Sequence, residues 1–156
     1  MDASLARVPE MAKEPTFKPG SVLLAHEFRS IHRDFYKGIY VPAGLDTARS
    51  IRFRPILNDE YGYSDRWVTE GAELDYTGQG PPPNSQTWNR WNLGLRNAQE
   101  RGIGVDVFEV LAGSPRAYLY HGLWRVTRHY EVFNAVQNRS LLRFIISRGE
   151  SDFRSD

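Results

Sequence analysis

At 156 residues the chain has room for one domain with a real core, and its 40% hydrophobic and 25% charged composition is that of an ordinary globular protein. A formal net charge of +1 argues against a general nucleic-acid coat, and the absence of cysteine excludes disulfides and thiolate metal sites. The longest plain apolar run, Val22-Leu23-Leu24-Ala25, is too short for a membrane span, and residues 1–20 lack the apolar segment of a signal peptide, so a cytoplasmic protein is the default expectation.

In chain order, residues 1–16 are polar with Pro9 and Pro15 and read as a loose or partly helical arm. Lys18-Pro19-Gly20 reads as a turn and 21–25 as a buried strand. Residues 27–36 suit a short helix, with Phe28, Ile31 and Phe35 on one face. Residues 38–41 and 50–54 read as strands. In the second, Ile51 and Phe53 alternate with Arg52 and Arg54, giving one apolar and one basic face. After the stiff Pro81-Pro82-Pro83-Asn84 loop, Ser85 is a good N-cap for the main helix, expected over about 86–101 with Gly102 as its stop. Trp88, Trp91, Leu95 and Ala98 fall on one stripe of that helix. Strands follow at 105–111, at 117–128 with a break or bulge near Gly122, and at 141–147. Six to eight strands and one good helix predict an α+β, mostly β fold with a closed or strongly curved sheet. The single domain is expected over 17–150, with 151–156 as a tail.

The most informative stretch is 61–80. It holds Tyr61, Tyr63, Tyr76 and Trp67 beside four acids, Asp65, Glu70, Glu73 and Asp75. Gly78 and Gly80 follow, residues that allow positive φ or the close approach of a flat ligand. Tyrosines beside carboxylates can sandwich a flat heterocycle and accept a hydrogen bond from its amino group, which is how a flipped nucleobase is read. The same tyrosines can equally fill a core with the hydroxyl at the surface.

This stretch resembles the SRA (SET- and RING-associated) domain, the reader of modified cytosine, and more closely its bacterial branch, found alone or in front of HNH nuclease domains. The resemblance runs from Phe17-Lys18-Pro19-Gly20 through Ile31-His32, Gly38-Ile39 and the Tyr76-Thr77-Gly78-Gln79-Gly80 loop. It continues through Gln86, Asn92-Leu93-Gly94-Leu95, Val107-Phe108-Glu109, the segment 120–126 and Leu142-Arg143-Phe144. It implies a PUA-like, SRA-like curved β-barrel with one main helix and short N-terminal helices. It also implies a base pocket. Tyr76 stacks on the flipped base with Thr77 and Gly78 at its edge, and Tyr63 forms the opposite wall. Asp65 or Asp75 accepts the cytosine amino hydrogen. Strand alternation turns Asp75 away from Tyr76, so a solvent-facing charge is the other reading of Asp75. The loop 81–85 is shorter than the finger loop of eukaryotic SRA domains.

All of the basic residues except Lys13, Lys18 and Lys37 are Arg, whose planar fork suits phosphates and bases, though a high-GC genome gives the same bias. Arg52, Arg54, Arg125, Arg128, Arg139 and Arg143, with Trp88 at the start of the helix, are candidate backbone or groove contacts. A solvated strand face is the other reading of the arginines. His26, His32, His121 and His129 show no metal-ligand spacing. No catalytic residue, cofactor or metal is expected.

The implied function is binding of double-stranded DNA containing modified cytosine, most simply 5-methylcytosine, with a nucleoid association when bound and no membrane. Two alternatives stand beside it. One is the targeting part of a modification-dependent HNH endonuclease, and the other is a PUA-like binder of RNA or a small ligand. The sequence does not indicate an oligomeric state.

Overall fold

The computed structural model describes residues 17–34, 36–55 and 65–149. The elements are β1 (Val22–Leu24), α1 (Ala25–Arg29), β2 (Ile39–Tyr40), β3 (Ser50–Phe53), β4 (Arg66–Thr69), β5 (Glu73–Thr77), α2 (Arg90–Arg101), β6 (Val105–Leu111), β7 (Ala117–Asn134) and β8 (Arg139–Ser147). One sheet runs in the order β2-β3-β6-β7-β8-β5-β4, with β1 added beside β7. Among the described residues, only β3 and β6 run parallel. The end strands β2 and β4 do not pair with each other among the described residues, so the sheet is curled but open rather than a closed barrel.

β7 carries the curl. Its first half pairs with β6 and its second half with β8. Just before the hand-over between Trp124 and Arg125, Gly122 takes φ 109° at a register shift of the β6–β7 pairing that lies between Val107 and Phe108. A bulge with a positive-φ glycine bends a strand and raises its twist. Of the expected break or bulge near Gly122, the bulge is what occurs, and the strand continues well past Arg128. Its second half is largely exposed on the outer side, which is why its polar residues hide it from a periodicity reading.

The main core lies between the sheet and α2. Ile39, Ile51, Phe53, Leu74, Val105, Val107, Trp124 and Phe144 are buried from the sheet, and Leu95 and Ala98 from α2. Each large side chain among them contributes on the order of 1.5–3 kcal/mol by leaving water. α2 lies close on the 41–48 segment. A Cβ on Gly94 would stand 2.6 Å from Val41 Cγ2. A smaller cluster, Leu23, Phe28, Ile31, Phe108, Tyr118 and Tyr120, anchors β1 and α1, with the Phe28 and Tyr118 rings stacked at 3.9 Å.

The main helix starts later than expected. Its N-cap is Asn89, whose side chain accepts from Asn92 N at 2.9 Å, and Gly102 closes it in the left-handed conformation. Ser85 and Gln86 are taken by β8 instead: Ser140 N donates to Ser85 Oγ and Gln86 N to Ser140 O. Trp88 therefore lies before the helix, and Trp91 is partly buried against the core. α1 covers only Ala25–Arg29; Phe28 and Ile31 are buried as expected, and Phe35 lies outside the described residues. No helix among the described residues is long and apolar enough to cross a membrane.

Candidate nucleic-acid interface

The loop that follows β5 is fixed by two buried amides. Gln86 Nε2 donates to Gly78 O at 2.8 Å, while its Oε1 accepts from Leu142 N at 2.8 Å. Asn92 Oδ1 accepts from Gln79 N at 2.8 Å, and its Nδ2 donates to Gln79 O at 2.9 Å. Gly78 is required at this crossing, because a Cβ there would stand 2.7 Å from Asn92 Oδ1 and 3.0 Å from Leu142 O. The side chains of Gln86 and Asn92 thus spend both their donors and their acceptors on backbone, leaving residues 78–80 rigid at the end of the strand.

Beside this loop opens a cleft of about 370 Å³. Tyr76, Asp65 and the Thr77-Gly78-Gln79 strand end line it together with Gly38, Arg52, Phe53, Arg54, Val110 and Arg116. Asp65 Oδ1 accepts from Thr77 N at 2.9 Å, and the carboxylate also takes the Arg54 backbone N–H. Burial pushes the Asp65 carboxyl up to about 7, against the pull of those amides and of Arg143. Tyr76 is 2% exposed, and its hydroxyl donates to Arg52 O at 3.3 Å. Burial, reinforced by the Asp65 charge, pushes its phenol well above the usual tyrosine range, so the ring is neutral. The result is a fixed, almost fully buried tyrosine beside a carboxylate, both in the cleft's lining. Such a pair can hold a flat base by one face and take an amino hydrogen at its edge.

Asp75 does not line this cleft. Strand alternation puts it on the other side of β5, where Arg143 Nε donates to it at 2.8 Å, Tyr130 Oη at 2.6 Å and Arg66 Nη2 at 3.2 Å. The expectation of Asp75 as a base acceptor is therefore corrected: its charge is consumed in a buried ionic network. The same network removes Arg143, which is 1% exposed, from the backbone contacts. Arg139, also 1% exposed, is removed too, since its guanidinium donates to Gly80 O at 2.6 Å and Asn84 O at 3.1 Å. Arg125 and Arg128 are exposed on β7 but lie outside the cleft lining. Trp88 also stands outside it, packed edge-on against His129 and Phe144 with the Arg96 guanidinium 4.7 Å over its ring. Tyr63, expected as the second wall, lies outside the described residues.

The structure adds to the cleft's lining residues that the sequence reading does not name as site residues. Gly38 enters the sequence reading only through the resemblance. Gln79 sits in the loop between the two glycines. Arg116, in the exposed 112–116 turn, carries no sequence signal at all. His32 is buried, and its Nε2 donates to Lys37 O at 2.8 Å while Nδ1 accepts from Ser50 Oγ at 2.8 Å. Burial lowers its pKa to about 4, so it is the neutral ring that pins the segment leading to Gly38. His121 and His129 are held by Glu109 and Gln99. No group of three metal-ligating side chains occurs among the described residues.

No family model matches the chain, and no curated protein matches it by sequence. Solved structures do. The chain is similar to the SUVH5 SRA domain in complex with fully methylated CG DNA, at 26% identity and a TM-score of 0.68, over 88% of this chain and 92% of that one. It is similar at 26% identity and a TM-score of 0.63 to the same domain bound to fully hydroxymethylated CG DNA, over 88% of each chain. It also resembles the modification-dependent TagI restriction endonuclease, at 23% identity and a TM-score of 0.69, over 90% of this chain and 53% of that one.

Proposed function

We propose that this chain, an SRA-like domain, binds double-stranded DNA containing modified cytosine by turning the modified base out of the stack into the cleft between Tyr76 and Asp65. The observation that carries the reading is the Asp65 carboxylate, held by two backbone amides beside a fixed tyrosine face. Cytosine offers an amino donor where thymine has a carbonyl, so an ionised acid at that edge selects cytosine. Tyr63 is proposed as the opposing wall. Support from the neighbours is direct in kind: their domains of the same shape are complexed with methylated and with hydroxymethylated DNA. We take 5-methylcytosine as the simplest ligand.

Opening the stack costs a few kcal/mol, and stacking in the cleft with phosphate contacts at its mouth must offset it. Arg52, Arg54 and Arg116 ring the mouth and supply that charge. Affinity is then moderate and salt-dependent. The chain is read as a recognition unit, with any cleavage belonging to other parts of a larger enzyme, as the partial coverage of the TagI chain suggests. The test is a titration of matched duplexes, unmodified, hemimethylated and fully methylated, over a salt series, with an RNA duplex alongside. Preference for the methylated duplexes is expected. Equal affinity for all DNA duplexes, or tighter binding to RNA, sinks the reading.

A further inference from the structure

Gln79 lines the cleft with a side chain that the rigidity of its own loop does not require. The loop is clamped through the Gln79 main chain. Asn92 Oδ1 accepts from Gln79 N, and Gln79 O accepts from Asn92 Nδ2 and, at 3.2 Å, from Asn89 Nδ2. With its backbone fixed from α2, Gln79 has its carboxamide to spend elsewhere.

That carboxamide crosses to Tyr76. The Gln79 side chain is hydrogen-bonded to the Tyr76 hydroxyl, and because the phenol gives its own proton to Arg52 O, the amide is the donor. Gly38 marks the crossing. A Cβ there would stand 2.5 Å from Tyr76 Oη, 3.2 Å from Arg52 O and 3.3 Å from Gln79 Nε2. Three groups thus converge on one hydrogen-sized space, from the loop after β5, from β5 and from β3. They form a relay: Asn92 holds Gln79, Gln79 donates to Tyr76, and Tyr76 donates to β3.

The last link is weak by itself. A well-made O–H···O bond spans about 2.5–3.0 Å, whereas Tyr76 Oη lies 3.3 Å from Arg52 O. The ring belongs to the main core, yet it also lines the cleft, where open space lies beside it. A second bond, from a residue whose main chain is itself fixed, holds the hydroxyl end in place.

We propose that Gln79 is a positioning residue for base recognition: its carboxamide holds the Tyr76 hydroxyl at the Gly38 crossing and keeps the cleft wall where a flipped base requires it. The inference rests on the base-flipping reading of the cleft. A wall fixed in advance leaves less reorganisation to binding, which favours the ligand that fits over DNA in general. Gln79 therefore acts on selectivity, while phosphate contacts at the mouth act on all duplexes alike.

The experiment is a double-mutant cycle read on methylation preference, the ratio of affinities for methylated and unmethylated duplex. Its members are the parent, Gln79→Met, Tyr76→Phe and the two together. Methionine is flexible, unbranched and unable to donate, and phenylalanine keeps the ring while removing the hydroxyl. Gln79→Met should lower the preference about fivefold, the size of one neutral hydrogen bond, with little change on unmethylated duplex. In the Tyr76→Phe background it should cost nothing further, because the bond it breaks is already gone. Gln79→Ala is carried through the same cycle, so that the result does not depend on how methionine packs, and urea midpoints show that each variant is folded. Parent-like preference in both Gln79 variants overturns the proposal. So does an equal loss in both backgrounds, which places Gln79 on the DNA or in the loop's support rather than on the Tyr76 hydroxyl. Either result leaves the cleft reading standing. A parent without methylation preference overturns the cleft reading, and the role of Gln79 with it.

Discussion

Gly38 and Tyr76 meet so closely that nothing larger than hydrogen fits between them. A Cβ on Gly38 would stand 2.5 Å from Tyr76 Oη and 3.2 Å from Arg52 O. The phenol cannot swing aside at low cost, because the ring is buried in the main core. Gly38→Ala should therefore push the Tyr76 ring into the cleft it walls. The expected cost is about 1–3 kcal/mol of stability, as for overpacking elsewhere, read as a lower urea midpoint. Preference for methylated over unmethylated duplex should fall with it, more than affinity for unmethylated DNA does. A variant that keeps both the midpoint and the preference would show that Tyr76 is free to adjust and is not a fixed wall.

Asp65 makes the cleft sensitive to pH, and the sign follows from the direction of its shift. Its folded pKa, about 7, lies above the ordinary carboxylate value, so the folded protein holds the proton more tightly than the unfolded chain does. The protonated side chain therefore favours the fold. Stability from this group is full below the ordinary value near 4, falls as pH rises through the interval up to about 7, and stays low above it. Ligand selection runs the other way. The ionised carboxylate accepts the cytosine amino hydrogen more strongly than the neutral acid, which keeps only its carbonyl oxygen as a good acceptor, so methylcytosine affinity should rise as pH increases from 6 to 8, with a proton released on binding. Asp65→Asn should flatten both dependences and lose the preference for cytosine over thymine in the flipped position. Affinity measured at several pH values for the parent and Asp65→Asn checks this. A parent that binds equally well at pH 6 and pH 8 removes Asp65 from base reading.

The sequence displays local order well and distant partnership badly. β6 is legible because Val105, Val107, Phe108, Val110 and Leu111 announce a buried strand within one window. The Tyr76-Thr77-Gly78 end of β5 and the acid Asp65 are legible as a group because a single hairpin, β4 to β5, brings them together. Alternation along β5 also separates Asp75 from Tyr76, and the structure shows where that separation leads. What alternation cannot reveal is that Arg143, 68 positions from Asp75, arrives across β8 to neutralise it. A buried Arg and a DNA-binding Arg are the same letter, and only the partner carboxylate or carbonyl tells them apart. The start of α2 departs from the expected Ser85 cap for a similar reason. Ser85 has capping chemistry, but β8 captures its hydroxyl, and Asn89 takes over the cap. Arg116 reaches the cleft's edge through tertiary placement of a turn that has no periodicity to read.

That distinction among arginines yields the last prediction. Arg54 and Arg116 are exposed at the cleft mouth, whereas Arg143 is sealed against Asp75. Replacing Arg54 or Arg116 with Gln should leave the urea midpoint where it is. Binding to methylated and unmethylated duplex should weaken alike, and the slope of log affinity against log salt should shrink by about one for each phosphate no longer neutralised. Arg143→Leu should do the reverse. It strands the Asp75 charge with only the partly exposed Arg66 and the Tyr130 hydroxyl, and breaking a buried pair from one side costs about 3–5 kcal/mol. Its salt slope, measured at a temperature where it remains folded, should equal that of the parent. Asp75→Asn paired with Arg143→Leu should recover part of the stability, because the uncompensated carboxylate is then gone. An Arg143→Leu protein with normal stability and a reduced salt slope would return Arg143 to the DNA-binding face.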